Sequence, residues 1–286
     1  MPQPWSHTTM HKNPTRTADL MTTLGSTMGV ANVIMQLSLP GVGYGVLESR
    51  VDSGSTFKHP FKRARTTGQY LAVAIQGTDD DADYVRTAIQ AIHSQVTSTP
   101  QSPVGYSANN PNLQLWVAAC LFRYFVDQYE FMYGRLSDES ADAIYADAAR
   151  LGTTLNVRPD MWPADRAAFE AYWAEQMQKI SIDPPVREML ASLADLSFLP
   201  GPLGRAGVVM QRALGQRTLF MTKGALPPEF RDAMGFTWTA DDDRRYRNAI
   251  AMHRRFDRVN PGMLKGYNQL MLAGLRTRRK LGIRVF

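Results

Sequence analysis

Few side chains in this 286-residue chain have the chemistry to ligate a metal, and that scarcity narrows what it can do. It has five histidines (His7, His11, His59, His93 and His253) and one cysteine, Cys120. No HExxH, ExxH pair or cysteine cluster occurs, which argues against zinc hydrolase, di-iron and iron–sulfur sites. His7 and His11 have i, i+4 spacing in a polar stretch with no carboxylate nearby, and His253 lies in a basic helix, expected exposed. His93 differs. It follows Ile92 and lies one helical turn from Ile89 and Val96, on the border of an apolar face. A histidine so placed is either a hydrogen-bonded core residue or an axial ligand. Haem iron needs only one protein imidazole in an apolar pocket, so a chain poor in histidine and cysteine can host haem where it could not host zinc.

A second cluster precedes it. In Lys62–Tyr70 (KRARTTGQY), Arg63 and Thr67 are i, i+4 and share one helix face. Cations in a first turn oppose the helix dipole, so Arg63 is either simply solvated or kept for an anionic partner such as a haem propionate. Thr67 adds a hydroxyl on the same face. Glu48 follows the glycine-rich Gly41–Gly45 and is either a surface carboxylate or a general base. Those glycines mimic a phosphate loop, but no strand precedes them and no Lys-Ser/Thr follows.

The elements that must position these groups read as helices. Thr78 before Asp79–Asp81, and Thr239 before Asp241–Asp243, pair an N-cap with acids in the first turn. Ser137 before Asp138 and Asp183 before Pro184 are further starts. Val85, Ile89, Ile92 and Val96 step at helical spacing, as do Leu113, Trp116, Val117, Cys120, Leu121 and Tyr124. Helices are expected over 16–38, 59–76, 79–97, 111–133, 138–151, 163–180, 184–195, 203–221, 227–234, 240–257 and 262–280, with a tight turn at Gly41–Gly45 and another at Leu199–Gly204. No run alternates long enough to be a strand. The expectation is an all-α protein: a flexible tail over 1–14 and one helical domain over 15–286.

Composition sets outer limits. At 44% hydrophobic and 20% charged residues the chain can bury a large core. The single cysteine excludes an intrachain disulfide framework and fits a cytoplasmic location. The start lacks a secretory pattern. The uncharged run from Leu20 to Leu47 is long enough to span a bilayer but is interrupted by Pro40, Gly41, Asn32 and Gln36, and reads as a buried helix. The net charge of +6 is uneven: Arg244–Phe286 holds twelve Lys or Arg against one acid, Asp257. The Arg244–Arg284 region reads first as a solvated basic face, second as an anionic-membrane contact, and last as a nucleic-acid surface, since no nucleic-acid module accompanies it.

These residues sit in an ordered set of blocks. They are MQLSLPGVGYGV (Met35–Val46), HPFKRARTTGQYLAVAIQGT (His59–Thr78), AIHSQV (Ala91–Val96), NPNLQLWVAACL (Asn110–Leu121), LSDESADAIYADAARLG (Leu136–Gly152) and MWPADRAAFEAYW (Met161–Trp173). The set resembles the MpaB / latex-clearing-protein (rubber oxygenase) family, nearest its actinobacterial branch, over roughly residues 20–280. The resemblance implies a globin-like helical core holding one haem b, with His93 as the proximal iron ligand and Arg63 and Thr67 close to the haem. Rubber oxygenases carry a lysine just before that threonine, able to occupy the distal iron position; here Thr66 stands there. They also use a glutamate base upstream of the arginine, and Glu48 lies at about that distance. The implied activity is oxidative cleavage of isoprenoid double bonds with dioxygen, so the expected partners are dioxygen and a hydrophobic, isoprenoid- or lipid-like substrate. A non-catalytic haem- or lipid-binding protein peripheral to the membrane is the alternative.

Overall fold

The computed structural model describes residues 13–27, 29–260 and 262–286. His7, His11 and most of the expected tail lie outside the described residues. Helices account for the fold, and among the described residues the only β-pairing is an isolated antiparallel bridge between Thr97 and Ser107. A 3-10 turn (Thr17–Leu20) leads into α1 (Thr23–Thr27), α2 (Gly29–Leu37), α3 (Pro40–Leu47), α4 (Pro60–Gln76), α5 (Asp79–His93) and α6 (Pro111–Tyr133). Then come α7 (Asp138–Ala148), α8 (Arg150–Thr153), α9 (Arg166–Met177), α10 (Pro184–Ala194), α11 (Pro200–Ala225), α12 (Pro228–Ala233), α13 (Ala240–Val259) and α14 (Met263–Lys280).

The start signals act as expected. Thr78 Oγ1 accepts the Asp81 N–H at 3.2 Å and the Asp81 carboxylate accepts the Thr78 N–H at 3.1 Å, a reciprocal cap on α5. Thr239 and Asp242 repeat it on α13. Helix α10 starts at Pro184 as expected, and Asp183 before it makes no side-chain cap but accepts the Tyr44 hydroxyl at 2.7 Å, which ties α3 to α10. The central element is α6, which is buried along most of its length and packs on α1, α2, α8 and α13. An all-round apolar helix belongs in a core. Trp116 stacks on Trp173 at 5.1 Å, and Phe122 meets Tyr145 and Phe169 edge-on at 5.4 and 5.0 Å.

Four expectations need correction. The span 16–38 is not helical from its start: it opens with a 3-10 turn over Thr17–Leu20, and α-helix begins at Thr23. Gly41–Gly45 is no turn but the body of α3, which leaves α2 at 111°. Pro40 suits a first helical position, and Gly43 allows the bend, because a Cβ there would lie 2.7 Å from the Leu37 carbonyl oxygen. Helix α5 stops at His93, four residues early, because the chain beyond it pairs with 106–108: Ser98 N–H donates to Tyr106 O and Ala108 N–H to Val96 O, both at 2.9 Å. Likewise Pro200–Gly204 is not a separate turn but the start of α11, kinked at Gly204 (φ 54°). No single helix among the described residues is long and apolar enough to cross a membrane; only the bent α2–α3 pair passes by length and composition. Within that pair Ala31, Ile34, Met35, Gly43 and Tyr44 are buried in protein.

Candidate functional site

The end of α5 delivers His93 to a knot of side-chain amides. The Gln114 amide nitrogen lies 3.2 Å from His93 Nδ1 and donates to the Ala108 carbonyl at 2.6 Å. Gln114 Oε1 accepts the Asn156 N–H at 2.6 Å. Asn156 then accepts from Gln90 at 2.7 Å and donates to the Asn109 carbonyl at 3.0 Å, and Asn109 donates to the Gln90 carbonyl at 3.0 Å. Four amides from α5, α6 and two loops thus fix one edge of the imidazole. The ring also hydrogen-bonds the Ala108 carbonyl. Gln114 holds the ring at Nδ1, and among the described residues no hydrogen bond engages Nε2.

Burial pushes the His93 pKa down to about 4, and the Arg63 charge adds to the effect against the Ala108 hydrogen bond. At neutral pH the ring is uncharged. Metal ligation requires that state.

Arg63, in the first turns of α4, combines two properties. Its side chain is reached by solvent, yet burial holds its guanidinium pKa below the usual arginine value, with no carboxylate contributing. A desolvated guanidinium without a carboxylate calls for an anion. Thr67, one turn on, is exposed on the same face. Thr66 is buried and donates its hydroxyl to the Arg63 carbonyl at 3.1 Å, so it is tied to its own helix. His59 is exposed and lies 3.2 Å from the Asp52 carboxylate.

Glu48 stands apart. Its carboxylate accepts from the Ser102 hydroxyl and from the Tyr106 hydroxyl, each at 2.6 Å, and these bonds lower its pKa. Among the described residues no hydrogen bond joins it to Arg63, Thr67 or His93. What it does hold is the 94–110 loop, the same loop that supplies Ala108 to His93. The structure therefore brings Arg63 and His93 within electrostatic reach, keeps Thr67 on the Arg63 face, and links Glu48 to them only through this loop.

Sequence reasoning missed the amide knot. One signal was present: Gln114 interrupts the apolar run of α6 and is buried. His253 is half-buried rather than exposed, with Nδ1 3.2 Å from Thr23 Oγ1. Cys120 is free and fully buried. Among the described residues no group of three or more His, Cys, Asp or Glu could hold a metal.

Comparison with known proteins follows from this geometry. Residues 16–255 match the family model described as ER-bound oxygenase mpaB/B'/Rubber oxygenase, catalytic domain. Two uncharacterized proteins, from Mycobacterium bovis and Mycobacterium tuberculosis, are each 52% identical over 256 residues, covering 89% of this chain and 98% of the relative. No solved structure matches the chain.

Proposed function

The chain belongs to the mpaB/rubber oxygenase catalytic-domain family, and from that membership we propose that it is a haem b-dependent oxygenase acting on a hydrophobic, isoprenoid- or lipid-like substrate, with oxidative cleavage of a carbon–carbon double bond as the reaction. The observation that carries the proposal is the state of His93: a neutral ring, anchored at Nδ1 and unengaged at Nε2. A partner at one ring nitrogen holds the ring in place and leaves the other for a metal.

When bound, haem b supplies the redox-active iron for dioxygen chemistry, which no side chain provides. The chain's own residues orient and insulate it. His93 Nε2 is the iron donor. Arg63, a cation with no carboxylate partner among the described residues, would neutralise a propionate. Thr67 offers a hydroxyl to a ligand on the same side. Glu48 stays ionised at neutral pH; Ser102 and Tyr106 both donate to its Oε2, which leaves Oε1 to accept a proton. The apolar side chains of α2 and of the first half of α6 exclude water from the reacting centre.

Oxygen uptake with polyisoprene or farnesyl-bearing compounds tests the reaction. Cleavage with dioxygen predicts a product pair in which both new carbonyl oxygens derive from labelled dioxygen. Haem retained without oxygen uptake on any hydrophobic compound would instead mark a binding protein.

A further inference from the structure

The outer surfaces of α13 and α14 are unusual for exposed helices. Met252, Phe256 and Val259 lie at i, i+4 and i+7 on α13, and Met263, Tyr267 and Leu270 repeat that spacing on α14. All six are exposed, Met252, Val259 and Leu270 by 66%, 69% and 64%. The buried faces of the same helices are separate: Tyr246, Ile250 and Asp257 on α13, and Asn268, Leu272 and Leu275 on α14. Tyr267 reaches α4 at Gly68 with its hydroxyl, but the rest of the outward stripes lies apart from these buried faces.

Charge surrounds these stripes with one sign. The only acid after Asp243 is Asp257, which is buried and accepts the Thr23 N–H at 3.1 Å and the Tyr133 hydroxyl at 3.3 Å. Arg244, Arg245 and Arg247 pair with Asp241–Asp243, and Arg276 and Arg279 with Asp81 and Asp80. Arg255, Arg258, Lys265, Lys280 and Arg284 are exposed and form no ion pair among the described residues, while Arg254 and Arg278 are half-buried.

The surface also adjoins α4. Helices α4 and α14 pack together antiparallel: the Arg278 charge acts on Arg65, a Cβ on Gly68 would lie 3.2 Å from Met271 Sδ, and Asn268 donates to Gln76 at 3.3 Å. The start of α4, with Phe61 exposed two residues before Arg63, thus lies at the end of α14 where Leu281 and Ile283 are exposed.

We propose that the exposed faces of α13 and α14, continued by Leu281, Ile283 and Phe61, dock on a bilayer bearing anionic headgroups. Apolar side chains enter the headgroup boundary while the unpaired Arg and Lys meet lipid phosphates. A bilayer is the partner that charge complementarity favours. A second copy of the chain would set cation against cation across a two-fold interface, and a nucleic acid gives no role to six exposed apolar residues. Docking concerns the protein surface alone, so it stands or falls apart from haem binding and turnover.

Flotation of the full chain with vesicles tests it. Binding is expected to vesicles containing phosphatidylglycerol, at least about tenfold weaker to pure phosphatidylcholine, and to decline as salt rises. The pair Arg255→Glu/Arg258→Glu should lose about tenfold or more, and Phe256→Ser/Leu270→Ser should lose binding with the cations intact. All four positions are exposed, and unchanged thermal melts will certify the folds; Val259→Thr offers a milder apolar probe. Equal binding to neutral and anionic vesicles, no binding at low salt, or unaltered binding by both variant pairs would overturn the proposal. So would a dimer in sedimentation that Phe256→Ser/Leu270→Ser dissociates, or tight binding to oligonucleotides that those serines leave intact.

Discussion

The Gln114 side-chain amide lies 3.2 Å from Nδ1 of His93 while reaching back to the Asn156 backbone with its oxygen at 2.6 Å. One residue on the central helix therefore couples the end of α5 to the loop after α8. The coupling is the physical reason a lone histidine at a helix end can hold a fixed orientation.

Replacing Gln114 by leucine keeps much of the volume but strands the Asn156 N–H and weakens the restraint on the imidazole. Leaving buried polar groups unpaired costs about 1–3 kcal/mol. Denaturant titration of Gln114→Leu should show a loss of that size. An unchanged midpoint would show that the knot is dispensable.

The low His93 pKa makes a pH prediction with a definite sign. In the unfolded chain the ring titrates near 6.5, and in the folded chain near 4. Between those values the unfolded state binds the extra proton, so this contribution is intact above pH 6.5 and lost progressively as pH falls toward 4. Protein without haem should lose more stability between pH 7 and 4.5 than His93→Gln does. Parallel losses would place the ring in a more hydrated setting.

Asp127 carries the opposite sign. It lines a cavity of about 420 Å³ with Arg123, Glu130 and Glu170, and burial pushes its pKa up to about 7, against the Arg123 charge. Here the folded state holds the proton over the window from 3.8 to 7, so the stabilising protonation is lost as pH rises through 7. Asp127→Asn should raise the melting temperature at pH 8 and leave it near wild type at pH 4. A lowered melting temperature at pH 8 would mean that the ionised carboxylate is stabilising in place.

Gly224 joins α11 to α13. A Cβ there would fall 2.3–2.6 Å from the Tyr246 ring, which is buried. Overpacking of that kind costs about 1–3 kcal/mol. Gly224→Ala should show it in thermal melts, and the combination with Tyr246→Leu should recover part of it.

How far the sequence carried depends on the range of each interaction. The starts of α5 and α13 were legible because Thr78 with Asp81, and Thr239 with Asp242, act within one turn. The helical class was legible from apolar spacing along α6. The α2–α3 bend was not, because it rests on Gly43 approaching the Leu37 carbonyl, a contact that periodicity does not encode. The end of α5 was missed because Val96 and Ser98 pair with residues ten or so positions ahead. Within the site, His93, Arg63 and Thr67 stood out by residue type. The amides around His93 come from four separate stretches and have no period, so only the fold assembles them. Glu48 stood out by residue type too, but its grip on Ser102 and Tyr106, apart from Arg63 and His93, was not legible.

The central claim is that the Nε2 atom of His93 binds haem iron. Absorption spectra of the protein purified from haem-supplied cells test it most directly. The account predicts a Soret band that is lost in His93→Ala, restored in part by added imidazole, and weakened by diminished haem retention in Arg63→Ala. No Soret band in the wild type, or the same band in His93→Ala, would contradict it.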